Sequence, residues 1–202
     1  MYNTDVASSL QLPCSGMPHY RRSKLSGGTY FFTVVTQDRA ELLCTDVARG
    51  CLRNALTRCR ERYPFALRAV VLLPDHLHAV WTLPDGDNDY SRRWAYVKRT
   101  FTTCWCARGG QERAVSDSKG NDRRRGVWQR RFWEATVRDV QQLRTLVDYV
   151  HFNPVKHGLV TCPSEWPYST FHRYLRAGAY PSAWGCVEPL PTFDGVWQQV
   201  GE

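Results

Sequence analysis

Between Phe65 and Leu83 the chain carries two β-rich runs separated by only two residues, and this pair restricts the fold more than any other segment. The first, Phe65 to Leu73, is dense in Val and Leu; the second runs His76-Leu77-His78-Ala79-Val80-Trp81-Thr82-Leu83, and Pro74-Asp75 leaves room only for a tight connection. Such a pair reads as a β-hairpin. In the second run the two-residue strand period puts Leu77, Ala79, Trp81 and Leu83 on one face and both histidines on the other. The apolar face needs helices packed on it, which leaves the histidines on the expected open side of the sheet.

The flanking segments extend this hairpin. After Gly27-Gly28, the β-branched and aromatic run Thr29 to Thr36 reads as a buried strand. Asp46 can cap a helix in which Val47, Cys51, Leu52, Ala55 and Leu56 recur at helical spacing up to Tyr63-Pro64. Ser91 opens another, with Trp94, Val97, Phe101 and Trp105 on one stripe. Trp128 to Val137 is strand-like, and Asp139 to about Asn153 is an amphipathic helix with a core stripe of Leu143, Leu146, Val147 and Val150. The order β-α-β-β-α-β plus a helix predicts an α+β, ferredoxin-like antiparallel sheet with two helices on one face and the other face free, a natural platform for nucleic acid. Residues 19–160 would form this domain. Residues 1–18 are aperiodic and expected to be a disordered extension, 108–126 lose hydrophobicity and are expected to form a mobile basic loop, and 161–202 are expected as a tail packed on the domain.

With 202 residues and 43% apolar content the chain can bury one core. Its 27 Lys and Arg against 19 Asp and Glu, a net charge of +8, favour a polyanion and put nucleic acid first among partners. Arg21, Arg22, Lys98, Arg99, Arg130 and Arg131 are the candidate DNA contacts; Arg92, Arg93, Arg123, Arg124 and Arg125 lie in the same basic clusters. No run approaches the roughly 18 apolar residues of a membrane span, and no secretory leader precedes the domain, so a soluble cytoplasmic protein is expected. The eight cysteines are scattered without a C-x-x-C, and reduced thiols are expected.

Two constellations could carry chemistry. Alternate strand positions lie roughly 7 Å apart, so His76 and His78 can converge on one cation, or can be solvated strand residues. Tyr149 and Asn153 are four apart and share a helix face. A phenol is a poor nucleophile until a cation stabilises its phenolate, so Tyr149 needs such a neighbour if it attacks phosphorus, with the Asn153 amide oxygen as a further metal ligand. The alternative is a half-buried aromatic, with Asn153 ending the helix before Pro154.

Several strings together resemble the REP-associated tyrosine transposases, a bacterial branch of the HUH single-tyrosine nucleases. They are Gly27-Gly28-Thr29-Tyr30-Phe31-Phe32-Thr33-Val34, Val71-Leu72-Leu73-Pro74-Asp75-His76-Leu77-His78, Trp128-Gln129-Arg130-Arg131-Phe132-Trp133-Glu134, Asp148 to Val160, and Trp166-Pro167-Tyr168-Ser169-Thr170-Phe171-His172. The likeness runs from about Met17 to Tyr180. It implies a ferredoxin-like catalytic domain, a metal-binding pair His76 and His78, and Tyr149 as nucleophile on the added C-terminal helix. In related single-tyrosine transposases a Gln four residues after the tyrosine completes the metal site; here that position is Asn153. Where the family typically has a His this chain has Ala135, so any role of that side chain is missing. The implied reaction is transesterification of single-stranded or hairpin DNA at repetitive extragenic palindromes, through a 5′-phosphotyrosine and a free 3′-OH, with Mg²⁺ or Mn²⁺. The resemblance favours a monomer. The alternatives are a replication-initiator or relaxase-type nuclease of the same chemistry and a palindrome-binding protein that does not cut.

Overall fold

The computed structural model describes residues 24–114, 125–187, 191 and 193. The elements are β1 (Thr29–Val35), α1 (Asp46–Arg62), β2 (Ala66–Leu72), β3 (His76–Thr82), α2 (Tyr90–Ala107), β4 (Trp133–Val137), α3 (Val140–Lys156) and the short α4 (Phe171–Arg176). All strand pairs are antiparallel and the sheet order is β2-β3-β1-β4, the ferredoxin-like arrangement expected. Arg21, Arg22, Arg123, Arg124, the N-terminal extension, most of the basic loop and the end of the tail lie outside the described residues.

Period-two patterning explains the two sides of the sheet. Tyr30, Phe32, Val34, Leu77, Ala79 and Trp81 pack under α1 and α2. There the Trp81 ring is stacked between Phe65 and Trp94, each with its centroid 4.1 Å away. The opposite side is not free: Phe31, Val71 and Val80 are buried against Leu146, Val147, Tyr149 and Val150 of α3. On that face Val80 continues the row of His76 and His78, with Val71 of β2 and Phe31 of β1 beside it, and this partly apolar row needs cover as much as the other face does. The sheet therefore lies between helices on both sides.

Local chemistry explains several departures from expectation. Thr45, not Asp46, caps α1, its hydroxyl accepting from the Ala48 N–H at 3.3 Å. Asp89 and Asp139 cap α2 and α3 in the same way. Only the second half of Trp128 to Val137 is strand; Trp128 makes a single bridge to Thr36. α3 does not end at Asn153 but runs through Pro154 to Lys156, and Gly158, at φ 66°, terminates it. A proline near a helix end removes one hydrogen bond that the preceding buried turn of α3 can do without. Arg93 is no phosphate ligand. It is 2% exposed and donates to Asp87 at 2.7 Å and to the Tyr63 and Pro64 carbonyls.

The expectation of reduced thiols is corrected too, because disulfides join Cys51 to Cys104 and Cys162 to Cys186. The first pair links α1 to α2, whose packing brings the two Cα atoms to 5.6 Å, a separation a disulfide spans. After α3 the chain returns along β2. Ser169 bridges Val71, the Tyr168 carbonyl accepts from Leu72 N, and the Trp166 indole donates to the Leu72 carbonyl at 2.8 Å. Among the described residues no helix is long and apolar enough to cross a membrane.

Candidate active site

The strand histidines face α3 across the sheet. His76 and His78 have ring centroids 5.0 Å apart, as i and i+2 residues of β3. Each Nδ1 is engaged: that of His76 by the Asp75 carboxylate at 2.6 Å, that of His78 by the Thr33 hydroxyl at 3.0 Å from the facing residue of β1. Asp75 is itself held by Arg39 at 2.8 Å. Both contacts fix ring orientation, and Asp75, as a carboxylate acceptor, places the His76 proton on Nδ1 and leaves Nε2 as the ligand position.

Tyr149 reaches the same cluster from α3. Its ring lies 5.5 Å from that of His78 and 6.0 Å from Phe31. Asn153, one turn on, hydrogen-bonds its hydroxyl. Because α3 continues past Pro154, Lys156 and His157 also fall on this side. Lys156 Nζ donates to the Tyr149 hydroxyl at 3.1 Å, and the His157 ring lies 5.3 Å from His76. All four expected site residues thus come together, but under cover. His76 is 3% exposed, His78 0%, Tyr149 1% and Asn153 0%. The expected open cleft is replaced by a buried cluster, since α3 carries its apolar stripe onto the histidine side of the sheet.

Burial sets the protonation states. It pushes His76 and His157 down to about 4 and His78 well below the ordinary imidazole range, helped at His76 by the neighbouring His78. Burial also raises the Tyr149 phenol, against the Asn153 hydrogen bond, and pushes Lys156 down to about 8. The resting cluster therefore holds neutral imidazoles, which is the form that ligates metals, and a protonated tyrosine. Among the described residues no three His, Cys, Asp or Glu side chains are arranged to hold a metal. Two oriented imidazoles supplemented by an amide oxygen nonetheless fit a cation that takes its remaining ligands from phosphate and water.

The remaining candidates lie elsewhere. Lys98 and Arg99 are on α2, and Arg130 and Arg131 on the segment before β4, around two cavities on the helical side. Glu134 points to that side as well, accepting from the Tyr90 hydroxyl at 3.2 Å. His151 faces away from Tyr149, bonded to Tyr180 and Thr170 at 2.9 Å each. Sequence reading missed Asp75, Thr33, Lys156 and His157. The last two were accessible as i+7 and i+8 from Tyr149, had Pro154 not been taken as a helix end.

No family model matches the chain. A protein of Haemophilus influenzae described as a candidate REP-associated tyrosine transposase is 43% identical over 169 residues, covering 84% of this chain and 94% of its own. An Escherichia coli REP-associated tyrosine transposase is 41% identical over 168 residues, 83% of this chain and 91% of its own. A solved REP-associated tyrosine transposase bound to a REP hairpin superposes with a TM-score of 0.70 at 38% identity, over 88% of this chain and 96% of that one.

Proposed function

Because this chain belongs to the REP-associated tyrosine transposases, we propose that it cuts and rejoins single-stranded DNA beside a REP hairpin, with Tyr149 as the nucleophile. The observation that carries this reading is the meeting of the Tyr149 hydroxyl with Lys156 Nζ, on a helix whose tyrosine packs against the strand histidine His78.

In the proposed reaction the Tyr149 hydroxyl gives up its proton, and Oη forms a bond to phosphorus as the bond from phosphorus to the 3′ oxygen breaks. That oxygen takes up a proton and leaves as a 3′-OH, and the DNA stays joined to the protein as a 5′-phosphotyrosine. The phosphotyrosine conserves the bond, so attack by a 3′-OH reverses the step without an energy cofactor. His76 and His78, with Asn153 as third ligand, would hold Mg²⁺ or Mn²⁺, which when bound polarises the scissile phosphate. Asp75 and Thr33 keep the two imidazoles aimed. Lys156 places positive charge at the oxygen where phenolate develops. Since Tyr149 is buried, substrate reaches it only when the side chain or its cover moves. Lys98, Arg99, Arg130 and Arg131 contact DNA phosphates in this reading.

The test is incubation of the protein with end-labelled hairpin DNA carrying single-stranded flanks, with Mn²⁺, Mg²⁺ or chelator. The expected result is metal-dependent release of a fragment ending in 3′-OH. Tight hairpin binding without cutting under any of these metals would make the protein a non-cleaving binder.

A further inference from the structure

Two consecutive residues between β1 and α1, Asp38 and Arg39, have φ of 52° and 49°, and among the described residues no other non-glycine residue has a positive φ. Aspartate tolerates this left-handed region because its short side chain can bond locally; arginine gains nothing by it. The flanks of the turn are tied down. Thr36 N donates to the Asp75 carbonyl at 2.9 Å, and its hydroxyl lies 2.8 Å from that carbonyl and 2.9 Å from the Ala40 carbonyl. Gln37 N donates to the Val127 carbonyl at 2.9 Å. A glycine at position 39 would make the same turn without the steric cost, so the strain serves the arginine side chain.

That side chain stands at the mouth of the histidine cluster. Arg39 Nη1 donates to one Asp75 carboxylate oxygen at 2.8 Å, while the other oxygen holds His76 Nδ1 at 2.6 Å. The Arg39 side chain is 56% exposed, against 17% for Asp75 and 4% for His76. His157, whose ring lies 5.3 Å from His76, is exposed as well. Arg39 and His157 thus flank the point where the buried cluster meets solvent. An ion pair with so exposed a member adds little to stability, and holding Asp75 alone does not repay the strained turn.

We propose that Arg39 binds a DNA phosphate next to the one that Tyr149 attacks. The inference rests on the function proposed above and adds a substrate contact to it. A guanidinium presents its N–H donors as a planar fork that matches phosphate oxygens. Asp75 takes one N–H, which fixes the plane, and the exposed remainder of the fork is open to a strand. Asp75 and Arg39 stand on the Nδ1 side of His76, whereas the Nε2 that would ligate the cation lies across the ring. The fork is therefore set off from the scissile phosphate by at least the width of an imidazole, which suits the neighbouring phosphate of the same strand. One carboxylate would then tie the aim of His76 to the grip on the strand.

The test measures binding and single-turnover cleavage of a hairpin with single-stranded flanks, in which methylphosphonate replaces one phosphate at a time and removes its charge. Arg39→Gly should melt at or above the wild-type temperature, bind the unmodified DNA about tenfold more weakly, and need Mn²⁺ for half-maximal cleavage within about threefold of the wild type. At one linkage beside the cut, methylphosphonate should cost the wild type about tenfold in affinity and Arg39→Gly less than about twofold. Arg39→Lys, which keeps the charge without the fork, should fall between them. Losses that multiply at every linkage overturn the proposal, as does a non-additive linkage at the cut itself. A Mn²⁺ demand raised about tenfold or more, with cleavage restored by excess metal, or a clearly lower melting temperature, would make Arg39 a brace for Asp75 and overturns it too. Binding without cutting by the wild type would instead overturn the underlying function; a linkage whose charge matters to the wild type and not to Arg39→Gly would still place Arg39 on the strand.

Discussion

Lys156 Nζ donates a hydrogen bond to the Tyr149 hydroxyl at 3.1 Å, across seven residues and one proline of α3. A cation at that oxygen lowers the energy of a developing phenolate far more in a buried site than in water. Lys156→Met should slow single-turnover DNA cleavage about a hundredfold while leaving hairpin affinity within twofold, and Lys156→Arg should recover part of the rate. An unchanged rate in Lys156→Met would remove the residue from the chemistry.

His76 and His78 each depend on a neighbour for their aim, Asp75 at 2.6 Å and Thr33 at 3.0 Å. Removing such a partner typically weakens metal affinity without deleting a ligand. Asp75→Asn and Thr33→Val should each raise the Mn²⁺ concentration for half-maximal cleavage by about 10–100-fold, with the maximal rate largely retained. A metal titration with an unshifted midpoint would contradict the assigned roles.

His151 predicts a pH dependence of stability. Enclosed by Tyr180 and Thr170, it is pushed by burial down to about 3, whereas in the unfolded chain it titrates near the ordinary 6.5. Between those values the unfolded state binds a proton that the folded state does not, so stability rises with pH through this window and is lost on acidification. The Asp148 carboxyl, raised by burial, has the opposite sign, its share growing as pH falls. The difference between wild type and His151→Gln isolates the imidazole. Between pH 6.5 and 4 the wild type should lose about 3 kcal/mol more than the variant in denaturant unfolding. Parallel losses would show that His151 titrates normally.

Arg93 is buried and its charge is answered by Asp87 at 2.7 Å. Stripping the partner leaves an uncompensated guanidinium, so Asp87→Ala should cost about 3 kcal/mol, whereas Arg93→Met, which removes the charge and keeps the volume, should cost less. Urea midpoints of the two variants decide the order, and a more stable Asp87→Ala would reverse this reading of α2.

The hairpin around Pro74-Asp75 and the two-face pattern of β3 were legible because strand period and turn chemistry are local properties. So was the element order, from which the ferredoxin-like sheet follows. The burial of the histidine face was not, since Phe31, Val71 and Val80 come from three strands and show themselves as one apolar surface only when the strands are side by side. Likewise Pro154 signals a helix end locally, and only the buried turn around Val150 to Asn153 carries α3 onward to bring Lys156 to Tyr149. The Cys51–Cys104 link spans 53 residues and depends on how α1 meets α2.

The most direct measurement maps the covalent bond itself. After reaction with hairpin DNA and Mn²⁺, denaturation and digestion by nuclease and trypsin, the nucleotide-bearing peptide is sequenced by mass spectrometry. Cleavage after Arg144 and Lys156 gives Thr145 to Lys156, in which Tyr149 is the one tyrosine. The phosphonucleotide is predicted on that peptide in the wild type, with no adduct in Tyr149→Phe. An adduct on any other peptide, or one that survives Tyr149→Phe, would contradict the assignment of Tyr149 as the nucleophile.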